Sequence, residues 1–197
     1  MKKVKVRLQF NEELLGTASS DPELHREFVA SKAPDAKSLE EEVAAVGVDA
    51  VDEKGRTVFP RGEDGKPILW DYQVKGFLKD ACGMLARVEG TKSNKLKAYK
   101  KVIDGLVFVQ PRRIPIQFNG PIGRCDRPLR AQTAQGERVA IASSETIPAG
   151  AVIEFDVALL DEKHESLVKE WLEYGELRGI GQWRNSGKGR FTAVILA

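Results

Sequence analysis

Between Tyr174 and Phe191 the sequence reads Tyr-Gly-Glu-Leu-Arg-Gly-Ile-Gly-Gln-Trp-Arg-Asn-Ser-Gly-Lys-Gly-Arg-Phe, with five glycines (Gly175, Gly179, Gly181, Gly187 and Gly189) among arginines, a lysine and an indole. Glycine permits positive φ and the close approach of a second backbone, while Arg and Lys donate to anions. The composition is that of a loop built to hold a phosphate-bearing chain. Its flanks restrict the folds it can belong to. Leu167, Val168, Trp171 and Leu172 recur at helical spacing over Asp161 to Tyr174, with Gly175 expected as the C′ stop, and Phe191-Thr-Ala-Val-Ile-Leu196 is β-branched and reads as a strand. A nucleotide-binding glycine loop must run from strand to helix, so that phosphate meets a helix N-terminus. The order here is reversed, and glycine is missing at Gln182 for a Walker motif and at Arg184 for a dinucleotide fingerprint.

The spacing Gly179-x-Gly181-x(5)-Gly187-x-Gly189 resembles the G-rich loop of the RAMP superfamily, the ferredoxin-like RNA-binding proteins of CRISPR systems, in which a G-x-G-x(5)-G-x-G-like run precedes the final strand. A second segment, Val74-Lys75-Gly76-Phe77-Leu78-Lys79, is similar to the L-K-G-x-h-K/R part of the sequence that opens the first core helix in those proteins, although the preceding proline and serines are absent here. The resemblance implies a ferredoxin-like fold, RNA as the usual ligand and self-assembly along nucleic acid. A chain of this size without a neighbouring domain also reads as a phage-encoded relative, acting in phage nucleic-acid metabolism or against a host CRISPR complex.

Periodicity along the rest of the chain agrees with that order of elements. Val4, Val6, Leu8 and Phe10 alternate with polar residues as a half-buried strand over 3–10. Asp21 and Ser38 are expected to cap short helices running to about Ser31 and Gly47, and Thr57-Val-Phe59 is the one strand signal between Val48 and Lys66. Val74, Phe77, Leu78, Ala81, Cys82 and Leu85 predict a helix over 71–87. Glu89 to Lys101 reads as a lysine-rich connection, 106–109 as a strand, and 112–118 as a strand demoted to an edge or bend by Pro115. Pro128–Thr133 and Arg138–Ala142 suggest a hairpin, and 152–160 a core strand. The core is then β-α-β-β-α-β, an α+β ferredoxin-like (RRM-like) arrangement in one domain over 1–197, with residues 11–70 expected as an insertion or lid and 110–150 as a β-rich insertion.

Function is constrained by charge distribution more than by total charge. The formal net charge of +2 is too small to identify a nucleic-acid binder, but residues 61–145 carry 16 Lys and Arg against 9 Asp and Glu. The expected contacts to single-stranded RNA or DNA are Lys75, Lys79, Lys92, Lys95, Lys97, Arg112, Arg113, Arg178, Gly179, Gly181, Trp183, Arg184, Gly187, Lys188, Gly189 and Arg190, with Trp183, Tyr72 or Tyr99 stacking on bases. The leading reading is a non-catalytic binder. The alternatives are a metal-independent endoribonuclease using His25 and a phage structural or assembly protein. His164, among Asp161, Glu162 and Glu165, reads as an exposed surface histidine, and the consecutive Glu40, Glu41 and Glu42 cannot converge on a metal from one helix face. No cofactor, metal or membrane partner is called for. Cys82 and Cys125 have no CxxC partner and read as free thiols, and the absence of a long apolar run or signal sequence suggests a cytoplasmic protein.

Overall fold

The alternation in the first segment forms the strand next to one edge of a six-stranded antiparallel sheet. In this computed structural model, which describes residues 1–20, 56–133 and 136–196, β1 (Lys2–Phe10) buries Val4, Val6, Leu8 and Phe10 and lies between β10 (Val152–Leu159) and β11 (Phe191–Leu196). Beyond β10 come β6 (Val107–Gln110) and β7 (Arg113–Gln117), which share its far side, and then β5 (Ile68–Trp70). Helices α1 (Asp71–Leu85) and α3 (Glu165–Glu173) pack their apolar stripes on the sheet, Val74, Phe77, Leu78, Ala81 and Cys82 from one and Leu167, Val168, Trp171 and Leu172 from the other. The order β1, α1, β6, β10, α3, β11, with the last strand beside the first, is the ferredoxin-like α+β core.

The core is largely aromatic where α1 meets the sheet. Phe191 packs edge-on against both Phe10 and Phe77, with ring centroids 6.1 and 5.0 Å away. Each such buried side chain contributes roughly 1.5–3 kcal/mol of burial free energy. Leu14, Phe59 and Leu69 join the same cluster from the segment ahead of α1. Cys82 is fully buried, and burial pushes its thiol pKa up, so it packs as a small apolar group.

A second sheet lies over the loop end of the first. It comprises β2 (Leu14–Leu15), β3 (Ala18–Ser19), β4 (Thr57–Val58), β8 (Gly123–Thr133) and β9 (Gly136–Ile147), the last two forming a hairpin longer than its sequence signal, with Arg130 opposite Val139 and Arg138 opposite Ala131.

Several expectations are corrected. Glu89–Lys101 is not all connection, because α2 (Tyr99–Leu106) begins within it and buries Ile103; eight residues broken by Gly105 are too short for periodicity to stand out. Pro115 is not on an edge, since β7 is flanked by β5 and β10. Pairing with β10 is confined to Ile116 and Gln117, so the missing N–H costs no bond there, and Ile116 N–H donates to Pro67 O at 3.0 Å. Gly175 does not stop the helix: a further turn, α4 (Gly175–Arg178), follows Tyr174, and the chain turns out at Gly179, φ +73°. Gly175 is required for a different reason, since a Cβ there would sit 2.2 Å from the Phe191 ring. The helices expected from Asp21 and Ser38, the run Glu40 to Glu42 and His25 lie outside the described residues.

Candidate nucleic-acid interface

The glycines of the loop hold its two limbs together. Gly189 has φ +70°, and a Cβ there would lie 1.9 Å from Ile180 O, where Ile180 N–H donates to Gly189 O at 2.9 Å. Gly179 would likewise place a Cβ 2.7 Å from the backbone of Lys188 and Gly189. Only glycine permits this approach. Gly189 N–H also donates to Glu13 O (2.8 Å), and Arg190 O accepts from Asn11 N–H (2.8 Å), so the loop is tied by its backbone to the chain leaving β1. Gly181 and Gly187 take positive φ of +90° and +85° with less crowding, the nearest atoms to a Cβ being Leu14 Cδ1 at 3.3 Å and the Arg190 guanidinium at 3.4 Å.

The charged side chains are more constrained than solvated loop charges would be. Arg178 Nε and Arg184 Nη1 both donate to Asp80 Oδ2 of α1, at 2.8 and 2.9 Å, and Arg178 Nη1 also reaches Asn185 Oδ1 at 2.8 Å. Lys188 Nζ donates to Glu13 Oε2 at 2.8 Å. Hydrogen bonds to these carboxylates raise the pKa values of Arg178 and Lys188. Two guanidiniums on one carboxylate still leave a positive excess. Arg190 adds to it, its Nε buried without a hydrogen-bond partner among the described residues.

Trp183 is the outlying feature of the loop. Its backbone is left-handed, φ +55° and ψ +33°, a conformation that costs a bulky L-residue about 1–2 kcal/mol, yet its indole is 41% exposed. The guanidinium of Arg127, from β8, lies 5.1 Å from the ring centroid. Arg127 is itself only 7% exposed, and its partners, Ser144 Oγ at 3.0 Å and Gln182 Oε1 at 2.7 Å, are neutral. A buried cation thus underlies an exposed ring with no carboxylate bonded to it among the described residues. By contrast the neighbouring buried Glu145 is well supplied, accepting from Arg61 Nη2 at 2.8 and 2.9 Å and from Phe59 N–H at 2.9 Å. Sequence reasoning did not place Arg127, Asp80 or Glu13 at the loop, because their roles arise from contacts across the chain.

The other expected contacts fall into two groups. At the start of α1, Trp70 and Tyr72 stack with centroids 6.2 Å apart, the guanidiniums of Arg112 and Arg113 lie 5.7 and 5.8 Å from the Trp70 ring, and Tyr72 is exposed. Arg112 and Arg113 also face Asp71 and Glu63. One turn along, Lys75 Nζ sits 4.7 Å over the Phe108 ring and donates to Asp104 O, with its pKa lowered by burial, and Lys79 pairs with Asp104. Lys92, Lys95 and Lys97 instead lie in the exposed turn after α1, away from the loop's partners; Tyr99 beside them is turned inward, with its hydroxyl where a Cβ at Gly83 would be, 2.8 Å away. His164 is not a freely exposed surface histidine, because its Nδ1 is buried. Among the described residues no cluster of His, Cys, Asp and Glu could hold a metal ion, and no helix is long and apolar enough to cross a membrane.

No protein-family model matches this sequence, and neither does any curated protein. The fold, however, is similar to that of a chain in the cryo-EM structure of the Type III-B Cmr-beta bound to cognate target RNA, with a TM-score of 0.55 and 9% identity over 99% of this chain and 61% of that one. The present chain therefore spans about three fifths of the length of that neighbour. A chain of a Type IV-B CRISPR complex aligns with a TM-score of 0.48 and 12% identity, over 100% of this chain and 91% of that one. At such identities the likeness is one of fold alone.

Proposed function

We propose that this protein is a RAMP-type, non-catalytic binder of single-stranded nucleic acid, and that the strand passes over the G-rich loop. The observation that carries the reading is Trp183, held in a left-handed backbone with its ring exposed above the buried cation Arg127, to which no carboxylate is bonded among the described residues. A folded chain that accepts local strain to present an indole over a guanidinium has built a stacking surface, and base–aromatic stacking is tolerant of sequence. The positive excess around Asp80 and Arg190 supplies a field for phosphates beside it. Trp70 and Tyr72, flanked by Arg112 and Arg113, offer a second stacking element for the same strand. RNA is the expected ligand from the RAMP resemblance, and the similarity of fold to a chain in an RNA-bound assembly supports it; single-stranded DNA is the control. Further copies assembling along the strand belong to the same proposal.

The test is fluorescence anisotropy with labelled single-stranded RNA and DNA of equal length across a salt series. Binding should weaken steeply with salt, with a log–log slope of about −0.7 for each phosphate neutralised. Salt-independent binding, or no binding to either strand, would overturn the proposal.

A further inference from the structure

Between the turn at 90–96 and the start of α3 lies a cleft of about 350 Å³, walled by Thr91, Lys92, Lys95, Lys163, His164 and Ser166 together with the side chains of Leu96 and Leu167. Its base is firmly held. Glu170 accepts from Lys92 N–H (2.7 Å), Ser93 N–H (3.0 Å) and Ser93 Oγ (2.5 Å), and the fully buried Ser93 Oγ accepts in turn from Trp171 Nε1 at 2.8 Å. The turn is thereby fixed against α3, with its lysines facing a preformed space.

Those lysines are only weakly neutralised, Lys92 by the field of Glu170. Lys92 Nζ reaches only the Ser166 carbonyl, at 3.4 Å, and among the described residues neither Lys95 nor Lys163 has a side-chain ion pair. The nearby acids are engaged elsewhere: Glu165 by Lys2 and Lys169, Glu170 by the 92–93 turn, and Asp161 by the Lys163 backbone N–H, while Glu162 acts on Lys2. His164 Nδ1 is buried without a hydrogen-bond partner among the described residues. Three ammonium groups around one cleft repel each other, and an anion placed among them relieves that repulsion while gaining hydroxyl and imidazole contacts.

We propose that this cleft binds a phosphate group, with Lys92, Lys95 and Lys163 supplying charge and Thr91, Ser166 and His164 supplying hydrogen bonds. Leu96 and Leu167 provide an apolar wall, and the volume is in the range of small-ligand sites, which suits the phosphate of a nucleotide. Its source is either a free nucleotide or the phosphorylated end of a strand. The site is separate from the G-rich loop, and only the second source depends on the strand-binding reading.

Three probes distinguish these sources: inorganic phosphate, AMP, and matched oligonucleotides with a 5′-phosphate or a 5′-hydroxyl. They are titrated into the isotopically labelled protein while the His164 ring and Trp171 indole signals are followed, and into a Lys95→Glu, Lys163→Glu double variant checked for folding by circular dichroism. Saturable shifts with phosphate and AMP, lost in the variant, are expected. A 5′-phosphate should tighten strand binding by about five-fold in the wild type and have no effect in the variant. Shifts with phosphate and AMP but no end preference assign the cleft to a free nucleotide. If phosphate and AMP shift these signals while neither strand binds anywhere, the cleft stands and the strand-binding reading fails. If strands bind but phosphate, AMP and the phosphorylated end leave His164 and Trp171 unmoved, the cleft proposal is overturned and the strand-binding reading survives.

Discussion

Two basic loops of this protein look alike in sequence and differ in construction. In the G-rich loop, Arg178, Arg184 and Lys188 are drawn inward to Asp80 and Glu13, and the glycines serve close backbone contacts. In the turn at 90–97 the acid is drawn inward, Glu170 fastening the backbone, and the lysines are left outside. Gly90 of that turn has φ +87° but open space where a Cβ would go. The difference teaches that a cation count says little about a binding surface until the carboxylates that neutralise each cation are known. What the first loop exposes is a ring over a buried cation, and what the second exposes is lysine side chains, of which Lys95 has no ion pair among the described residues.

The sharpest way to break this comparison is through the glycines. Gly189→Ala should destabilise the fold by about 3 kcal/mol or more in chemical unfolding, combining left-handed strain with a clash against Ile180 O, whereas Gly90→Ala should cost only about 1 kcal/mol. Equal costs would mean that the two loops are equally loose. Trp183→Ala should weaken strand binding by about 1–3 kcal/mol in anisotropy titrations while leaving the unfolding midpoint nearly unchanged, because its ring is exposed. Asp80→Asn should lower stability by about 1–2 kcal/mol yet maintain or strengthen strand binding, since it releases two guanidiniums; a loss of affinity without a loss of stability would show that the pairing is not structural.

The smallest expected effect concerns pH. Burial pushes the Glu170 carboxyl up, but hydrogen bonds from Ser93 and the N–H groups of Lys92 and Ser93 outweigh it and hold the pKa below the usual carboxylate value. Its contribution to stability is therefore present above the unfolded-state pKa and lost as pH falls through the lower folded-state value. Glu170→Gln should lower stability at neutral pH and flatten the acid side of the stability profile, with the two proteins converging at low pH in thermal melts.

Much of the core was legible because it depends on local pattern. The alternation in β1, the stripe Val74 to Leu85 and the stripe Leu167 to Leu172 each carry their own period, and their order yields the ferredoxin-like arrangement. Helix α2 was missed because it is short and lysine-rich, with only Ile103 fully buried. Gly175 was misread because the group it makes room for, Phe191, comes sixteen positions later and reveals nothing to a local rule. The loop itself stood out by composition, but the acids that hold its cations lie on α1 and beyond β1, and Arg127 lies on β8. Those pairings are products of topology, which side-chain spacing along the chain does not encode.

The position of β1 also governs when the protein can fold. Both of its neighbours, β10 and β11, are synthesised more than a hundred residues later, and so is the loop that bonds to Asn11 and Glu13. On the ribosome the first strand must wait, unpaired on both edges, until nearly the whole described chain has emerged. The contacts that close the sheet are long-range ones, whose loop-closure entropy slows folding. The alternating charges Lys3, Lys5 and Arg7 on its outward face keep that waiting strand soluble and discourage it from pairing with another nascent chain.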